Sequence, residues 1–195
     1  PRGMIDLHTR VLPGWDDGPA DRAEAERMIT AAREDGITKI VLTPHVHRMT
    51  REGAGLPELE GRLTAFRREM EDLGVSLFAG AEVYFHIDMI RNIKDHHLTV
   101  NGSNYVFVEF PAEYLPGGVK KLVSEMMFEG LIPIISHPER NAAMARDPES
   151  LHKLISQGAL SQVTAQSLTG GFGKRTQKAA LFLLKPIEFP EGKAH

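Results

Sequence analysis

Three stretches of the sequence each bring a histidine to the end of an apolar run. His137 lies in SHPERN after LIPII, His45 lies in TPHVH after KIVL, and His8 lies in MIDLHTR near the start of the chain. Two further apolar stretches, VSLFAGAE and NYVFVEF, lead to Glu82 and Glu109. Imidazole and carboxylate are together the ligand types that suit zinc, iron or manganese. These five residues therefore predict a metal site.

The segments that would position these residues alternate between helix and strand patterns. Apolar residues recur at helical spacing after Asp21 and again within residues 59–73, 119–126, 148–155 and 174–184. This alternation predicts parallel βαβ units and an α/β fold class. Six strands are predicted, near residues 4–9, 38–43, 76–82, 105–110, 131–136 and 159–164.

The carboxyl ends of the six predicted strands carry most of the candidate ligands. In an α/β barrel these ends converge on one face, where the chemistry takes place. Asp17, in WDDG just after the first strand, adds a further candidate ligand from a loop. In chain order the strand ends are occupied by His8, His45, Glu82, Glu109, His137 and Gln166.

Each of these residues also has an ordinary interpretation. A single histidine at a strand end is usually a surface or hydrogen-bonded residue, and Asp16 and Asp17 before Gly18 can simply shape a turn. Glu109 before Phe110 and Pro111 can be an ordinary carboxylate on the approach to a helix. The metal hypothesis rests on the coincidence of five ligand-type residues at five successive strand ends. The remaining histidines lack this placement and are interpreted as surface or structural residues: His47, His86, His96, His97, His152 and His195.

Length and composition exclude several function classes. A chain of 195 residues without an internal linker predicts a single domain over residues 4–195, with residues 1–3 interpreted as a cloning remnant. The absence of cysteine excludes a cysteine nucleophile, and a net charge of -3 offers no basic footprint for nucleic acid. No apolar run approaches the roughly 20 residues of a membrane span, so the protein is not expected to span a membrane. No secretory signal is visible, and the expected compartment is the cytoplasm.

Several motifs together carry a resemblance to one protein family. They span roughly residues 4–180 and are MIDLHTR with LPG and DDGP, TPH, GAE, VEFP, GLIPIISHPERN and GALSQVTAQSLTGGFGK. They resemble the bacterial protein-tyrosine phosphatases of the polymerase and histidinol phosphatase (PHP) superfamily, which accompany capsule and exopolysaccharide synthesis. HPERN and SLTGGFGK together are highly specific, whereas TPH alone is weak. The resemblance implies a PHP-type distorted (β/α)7 barrel.

The resemblance also implies ligands, residue roles and a partner. It implies a multinuclear centre of divalent metal ions, usually manganese or iron with zinc or magnesium as alternatives, at His8, Asp17, His45, Glu82, Glu109 and His137. Arg140 matches a phosphate-contacting arginine, and Arg140, Asp17 and His137 are assigned to catalysis. Arg140, Arg10 and Lys174 are assigned to substrate binding. The implied partner is the phosphotyrosine tail of a tyrosine kinase that regulates polysaccharide synthesis, with formation of a homo-oligomer left open.

Two positions depart from the family pattern. The family begins with His-x-His on one face of a strand, whereas the second position here holds Arg10, which has no lone pair for a metal. The family's last strand ends in Asp-x-His, whereas residues 185–195 contain no such pair. Pro186 and Pro190 would break a regular strand there, and His195 is terminal. The last strand region of the barrel is therefore predicted to be truncated or altered.

These departures leave three functions open. The first is a metal-dependent protein-tyrosine phosphatase, with activity impaired by Arg10 and the missing Asp-x-His. The second is a pseudophosphatase on the same fold, which binds a phosphotyrosine tail or a partner without hydrolysing it. The third is a PHP phosphoesterase for a small phosphate monoester, such as a sugar phosphate or histidinol phosphate. Arg140 has its own alternative, a surface ion pair with Glu139 or Glu149.

Overall fold

The computed structural model describes residues 3–46 and 56–185, with residues 56 and 57 described by their backbone alone. The strands are β1 Met4–Thr9, β2 Ile37–Leu42, β3 His45–Val46, β4 Ser76–Ala79, β5 Glu82–Tyr84, β6 Tyr105–Glu109, β7 Ile132–Ser136 and β8 Leu160–Gln162. The α-helices are α1 Arg22–Glu34, α2 Leu56–Glu69, α3 Met89–Asp95, α4 Val119–Phe128, α5 Ala142–Arg146, α6 Pro148–Ile155, α7 Ala165–Leu168 and α8 Lys174–Leu183. Three 3-10 turns lie at Glu71–Leu73, Val100–Gly102 and Pro138–Arg140.

All strand pairs are parallel, and the strands follow one another in chain order. They form a three-stranded sheet, β1-β2-β4, and a five-stranded sheet, β3-β5-β6-β7-β8. Strand β3 continues β2 after two residues, and β5 continues β4 in the same way. The six predicted strands are therefore confirmed, and the second and third of them continue after a two-residue break as β3 and β5. The predicted α/β class is correct. The helices that connect the strands pack against the sheets, as parallel βαβ units require.

The interruptions of the two strands have a local cause. Pro44 has no backbone N–H to donate to a neighbouring strand. Beside it, a side chain on Gly80 would meet Val41 Cγ1 at 3.0 Å and the Leu42 carbonyl oxygen at 3.3 Å, so the two strands approach closely only because this residue is glycine. Beyond the bend, a hydrogen bond from the Glu82 N–H to the Pro44 carbonyl (3.0 Å) restores the pairing. Two predicted ligand positions thus begin new strands directly after a bend.

The curl of the sheet brings the first strand of the chain near the last described one. The Nδ1 atom of His8, on β1, lies 2.8 Å from the Oε1 atom of Gln162, on β8. No backbone pairing joins β1 to β8 within the described residues, so the described strands do not close into a complete barrel at this point. The predictions for Pro186, Pro190 and His195, and for a truncated or altered last strand, lie outside the described residues.

Three short helices and one strand end differ from the sequence prediction. Helices α3, α5 and α7 were not predicted, because segments of four to seven residues are too short to show a helical period. The prediction that Gln166 ends the sixth strand is wrong, since this residue lies in α7 and β8 ends at Gln162. None of the described helices is long and apolar enough to cross a membrane.

The HPERN motif folds into a tight turn at the end of β7. His137 adopts a left-handed backbone conformation (φ 34°, ψ 56°), which is rare for a residue with a side chain, and Pro138 then starts a 3-10 turn. Asn141 closes the motif. Its Nδ2 atom donates to the carbonyls of Pro111 (2.6 Å) and Tyr114 (3.1 Å). Its Oδ1 atom accepts from the N–H of Met144 (2.9 Å), which caps α5.

We expect Asn141→Ala to lower the free energy of unfolding by about 2 kcal/mol, because two carbonyls of the loop after β6 lose their donor and α5 loses its cap. Urea denaturation followed by circular dichroism measures this change. The control is Asn104→Ala at an exposed position, which we expect to stay within about 0.5 kcal/mol of the parent. Equal losses for both variants would contradict a bracing role for Asn141.

Candidate metal centre

Glu82 is the centre of a cluster of imidazoles at the carboxyl ends of the strands. It begins β5 and has no solvent-exposed surface. Its Oε1 atom lies 3.0 Å from His137 Nε2, and its Oε2 atom lies 3.2 Å from both His8 Nε2 and His45 Nε2. A buried carboxylate is very costly unless cationic or donor groups surround it, and three strands supply such groups here. The structure thus brings together four residues that the sequence places far apart.

Glu109, the last residue of β6, supplies a second carboxylate to the cluster. Its Oε2 atom lies 3.6 Å from His45 Nε2, and its Oε1 atom lies 3.7 Å from His137 Nε2. Glu82 and Glu109 therefore both extend between the same two imidazoles, each with one oxygen toward either side. Carboxylates in this position can bridge two cations.

The two aspartates of WDDG occupy different environments. The Asp16 side chain is 8% exposed, and its Oδ2 atom accepts a hydrogen bond from the His45 N–H (2.7 Å) and lies 3.3 Å from His45 Nδ1. The Asp17 side chain is 63% exposed, with its Oδ1 atom 3.3 Å from the same Nδ1 atom. Asp17 was predicted as a ligand from the sequence, whereas the role of Asp16 in orienting His45 was not predicted. A carboxylate behind a ligating imidazole is common at metal sites because it fixes the ring and its tautomer.

Gln162 has a comparable role behind His8. Its Oε1 atom faces His8 Nδ1 at 2.8 Å, and an amide oxygen can only accept, so His8 carries a proton on Nδ1. The Nε2 atom of the same ring lies 3.2 Å from Glu82 Oε2. The ring also packs against Phe107, with the centroids 4.7 Å apart. Gln162 was not predicted as part of the site, because a glutamine in a three-residue strand gives no metal signal in the sequence.

Arg10 reaches into the cluster from the end of β1. Its Nη2 atom contacts Glu82 Oε2 and lies 2.6 Å from His45 Nε2, and its Nε atom lies 3.4 Å from Asp17 Oδ1. A guanidinium has donors only and remains charged, so it cannot ligate a metal and it repels one. The side of the cluster nearest Glu82 Oε2 therefore already contains a permanent cation.

The charges of the cluster follow from these contacts. Burial raises the pKa of Glu82, but its contacts with His137, His45 and His8 outweigh this effect and hold the pKa far below its usual range. Burial lowers the pKa of His45, but Asp16 and Glu82 reverse this effect and raise it to about 9. The 2.6 Å contact with Arg10 instead requires a lone pair on His45 Nε2, because two N–H donors do not approach so closely. The contact between Arg10 and His45 therefore indicates that the His45 ring is neutral in this arrangement.

The donor set fits a divalent metal ion in its chemistry. Ligand atoms of His45, Glu82 and Glu109 lie within 4.8 Å of one another, and so do those of Asp16, Asp17 and His45. Nitrogen from imidazole and oxygen from carboxylate are ligands that manganese, iron and zinc accept. Arg10 meets Glu82 at Oε2, whereas His137 faces Oε1. The guanidinium thus takes one side of the centre, and the His137 side could hold a metal.

A cavity of about 530 Å3 opens beside the cluster, and the residues that line it include His8, Arg10, His137, Arg140 and Phe172. The Arg140 side chain is exposed at its edge and has no carboxylate within ion-pair distance in the part of the chain that the structure describes. The alternative of an ion pair with Glu139 or Glu149 is therefore wrong for this arrangement. Lys174 begins α8, is exposed and does not line the cavity.

The turn that carries Arg140 is tied to the loop after β8. Glu139 is almost fully buried, and its Oε1 atom accepts hydrogen bonds from Ser167 Oγ (2.7 Å) and the Thr164 N–H (3.1 Å). Arg140 itself stacks on Phe172, with its Cζ atom 4.7 Å from the ring centroid. The glycines around Phe172 are evident in the sequence, but neither contact was predicted, because both depend on how the loop folds back.

Comparison with protein families and curated proteins gives consistent matches. The family model described as capsular polysaccharide synthesis, CpsB/CapC, matches residues 4–189. CapC of Staphylococcus aureus is 36% identical over 184 residues, which cover 93% of this chain and 72% of that protein. The tyrosine-protein phosphatase YwqE of Bacillus subtilis is 34% identical over 197 residues, which cover 98% of this chain and 77% of that protein.

Solved structures agree with these matches. A structure from the study of YwqE from Bacillus subtilis and CpsB from Streptococcus pneumoniae, described as unique metal-dependent tyrosine phosphatases, superposes with a TM-score of 0.84 at 31% identity. The match covers 93% of this chain and 74% of that chain. HisK from Listeria monocytogenes, a candidate histidinol phosphatase, matches with a TM-score of 0.51 at 11% identity, over 94% of this chain and 92% of that one. The second likeness shows a shared fold.

We expect Arg10→His to raise the metal-to-protein ratio by about one ion per chain after equilibration with Mn²⁺, because the change removes a cation and adds an imidazole beside His8. Elemental analysis by mass spectrometry after gel filtration measures the ratio. Arg22→His, at an exposed position on α1, is the matched control and should leave it unchanged. An unchanged ratio for Arg10→His would show that this residue does not limit metal binding.

Proposed function

Given that this chain belongs to the capsular polysaccharide synthesis family CpsB/CapC, we propose that it is a metal-dependent protein-tyrosine phosphatase. One observation carries the proposal beyond family membership. Three imidazoles and a second carboxylate converge on the fully buried Glu82, beside a cavity whose edge holds the guanidinium of Arg140, which has no carboxylate partner among the described residues. A metal-ligand set next to an anion-binding group is the combination that hydrolysis of a phosphate ester needs.

The proposed substrate is phosphotyrosine on a tyrosine kinase that regulates capsular or exopolysaccharide synthesis. Support comes from the family description and from relatives of this chain that are named tyrosine-protein phosphatases. We further propose manganese or iron as the metal and the cytoplasm as the compartment. The donor set of imidazoles and carboxylates is compatible with either metal.

Separate groups of residues would bind the metal ion and orient its ligands. A bound divalent ion would lower the pKa of a water molecule and offset negative charge on the phosphoryl oxygens. His137, Glu82 and Glu109 are the groups on the side free of Arg10, and we propose them as the principal ligands. His8 and His45 lie on the opposite side of Glu82. The His8 ring is oriented by Gln162, and the His45 ring is oriented by Asp16.

Arg140 would bind the phosphoryl group of the substrate. Its guanidinium is planar and always charged, and it can donate to two oxygens at once. Since no carboxylate competes for it among the described residues, it need not break an ion pair when a phosphate arrives. This contact exists both in the ground state and in the transition state, so its main effect is on substrate binding.

The position of Arg10 favours a second candidate, a pseudophosphatase that binds phosphotyrosine without hydrolysing it. A guanidinium against Glu82 and His45 supplies positive charge without Lewis acidity or an activated water. It could also attract a phosphate. The two candidates differ in one measurable respect, the release of inorganic phosphate.

We expect slow hydrolysis of p-nitrophenyl phosphate and of a phosphotyrosine peptide that depends on added Mn²⁺. His137→Ala should lower the rate at least about 100-fold, because it removes an imidazole that faces both carboxylates. The assay follows phosphate release with several divalent ions, and His152→Ala on α6 is the control. Binding of the peptide without phosphate release under any ion would leave the pseudophosphatase as the function.

We expect Arg140→Ala to raise KM for the phosphotyrosine peptide about 10- to 100-fold and to change kcat much less, because two charge-assisted hydrogen bonds to phosphate are lost from both states. Steady-state kinetics separates the two parameters. The matched control is Arg146→Ala, at an exposed position on α5. A fall in kcat at unchanged KM would instead assign Arg140 to the transition state alone.

A further inference from the structure

Phe172 stacks on the proposed phosphate-binding group, Arg140, and lines the same cavity. The Cζ atom of Arg140 lies 4.7 Å from the ring centroid, a distance typical of a cation–π contact. Phe172 is 40% exposed, so the guanidinium does not cover the whole ring. Both side chains line the cavity that also contains His8 and His137.

The loop that presents Phe172 has a defined shape. Gly170 and Gly173 adopt positive φ angles of 86° and 87°, and a side chain on Gly171 would meet Gln166 Cγ at 2.5 Å. The loop is closed by hydrogen bonds from the Gly171 N–H to the Gln166 carbonyl and from the Gly173 N–H to the Gly170 carbonyl, both 2.9 Å. The position of the ring therefore follows from the backbone around it.

A second link joins this loop to the turn of Arg140. Ser167 has no exposed surface and donates to Glu139, the residue before Arg140. Glu139 is thereby directed away from the guanidinium, which keeps the ring as its neighbour. Two adjacent residues of the turn thus contact the same loop, one through a buried hydrogen bond and one through the aromatic ring.

We propose that Phe172 is a specificity-determining residue, which holds Arg140 in place and gives the site its preference for aryl phosphate monoesters over alkyl ones. The inference rests on the proposed function, because it assumes that phosphate binds at Arg140. One part of the ring positions the guanidinium. The exposed part lies where the leaving group of a bound phosphate ester can reach it, and an aromatic leaving group gains more from a ring neighbour than an aliphatic one.

The test measures binding rather than turnover, so that it applies to an active or an inactive protein. Calorimetry compares three probes in the presence of Mn²⁺: inorganic phosphate, and two peptides of the same sequence that carry non-hydrolysable phosphonate analogues of phosphotyrosine and phosphoserine, called here the phosphotyrosine and phosphoserine peptides. The variants are Phe172→Leu, which removes the ring, and Phe172→Tyr, which keeps it. Phe128→Leu, at a residue that is 90% exposed at the end of α4, is the matched control.

We expect Phe172→Leu to weaken phosphate binding about two- to five-fold through loss of the contact with Arg140. The preference for the phosphotyrosine peptide over the phosphoserine peptide should fall by a further factor of about two to ten. Phe172→Tyr should restore both properties, and Phe128→Leu should change neither. Thermal unfolding should be unchanged in Phe172→Leu, since the residue is partly exposed.

Two results would overturn the inference, and they differ from each other. If the parent protein binds the phosphotyrosine peptide and Phe172→Leu keeps the same preference, Phe172 does not determine specificity, and the proposed function is unaffected. If the parent protein binds none of the three probes, the proposed function fails, and the inference fails with it.

Discussion

The buried carboxylate of Glu82 is the constraint on which the rest of the site depends. A charge without exposed surface must be neutralised by its neighbours, and these neighbours must come from elsewhere in the chain. His8 reaches it from β1, His45 from the first residue of β3, and His137 from the residue after β7. The curl of the parallel sheet makes this convergence geometrically simple, because all carboxyl ends lie on one side. The bend at Gly80 and Pro44 then places Glu82 directly opposite His45 in strand register.

The HPERN turn shows how one short motif can serve several physical requirements at once. The left-handed backbone at His137 points its ring at Glu82, while Asn141 braces the turn against the loop after β6. Between them, Glu139 is buried and Arg140 is exposed, so neighbouring residues with opposite charges do not pair. A strained φ angle of this kind persists only where surrounding contacts compensate for it, and Asn141 and Glu139 provide such contacts.

Much of this arrangement could be predicted from the sequence, and the reasons for the failures are physical. The end of a strand can be recognised in the sequence because an apolar run stops abruptly there. For this reason His45, Glu82 and Glu109 could be predicted as residues of the site. Gln162 could not be found, because its role depends on β8 coming to lie beside β1, a contact across 154 positions. Asp16 and Asp17 have the same chemistry and adjacent positions, and only the path of the loop decides which one is buried. The direction of Arg10 followed from the two-residue period of a strand.

The hydrogen bond between His8 and Gln162 has a consequence for the dynamics of the molecule. It ties the first strand to the last described one, across a seam that no backbone ladder closes within the described residues. A local separation of β1 from β8 would therefore also displace the His8 imidazole from the centre. The stability of the assembled site is then limited by the free energy of this local opening rather than by that of global unfolding.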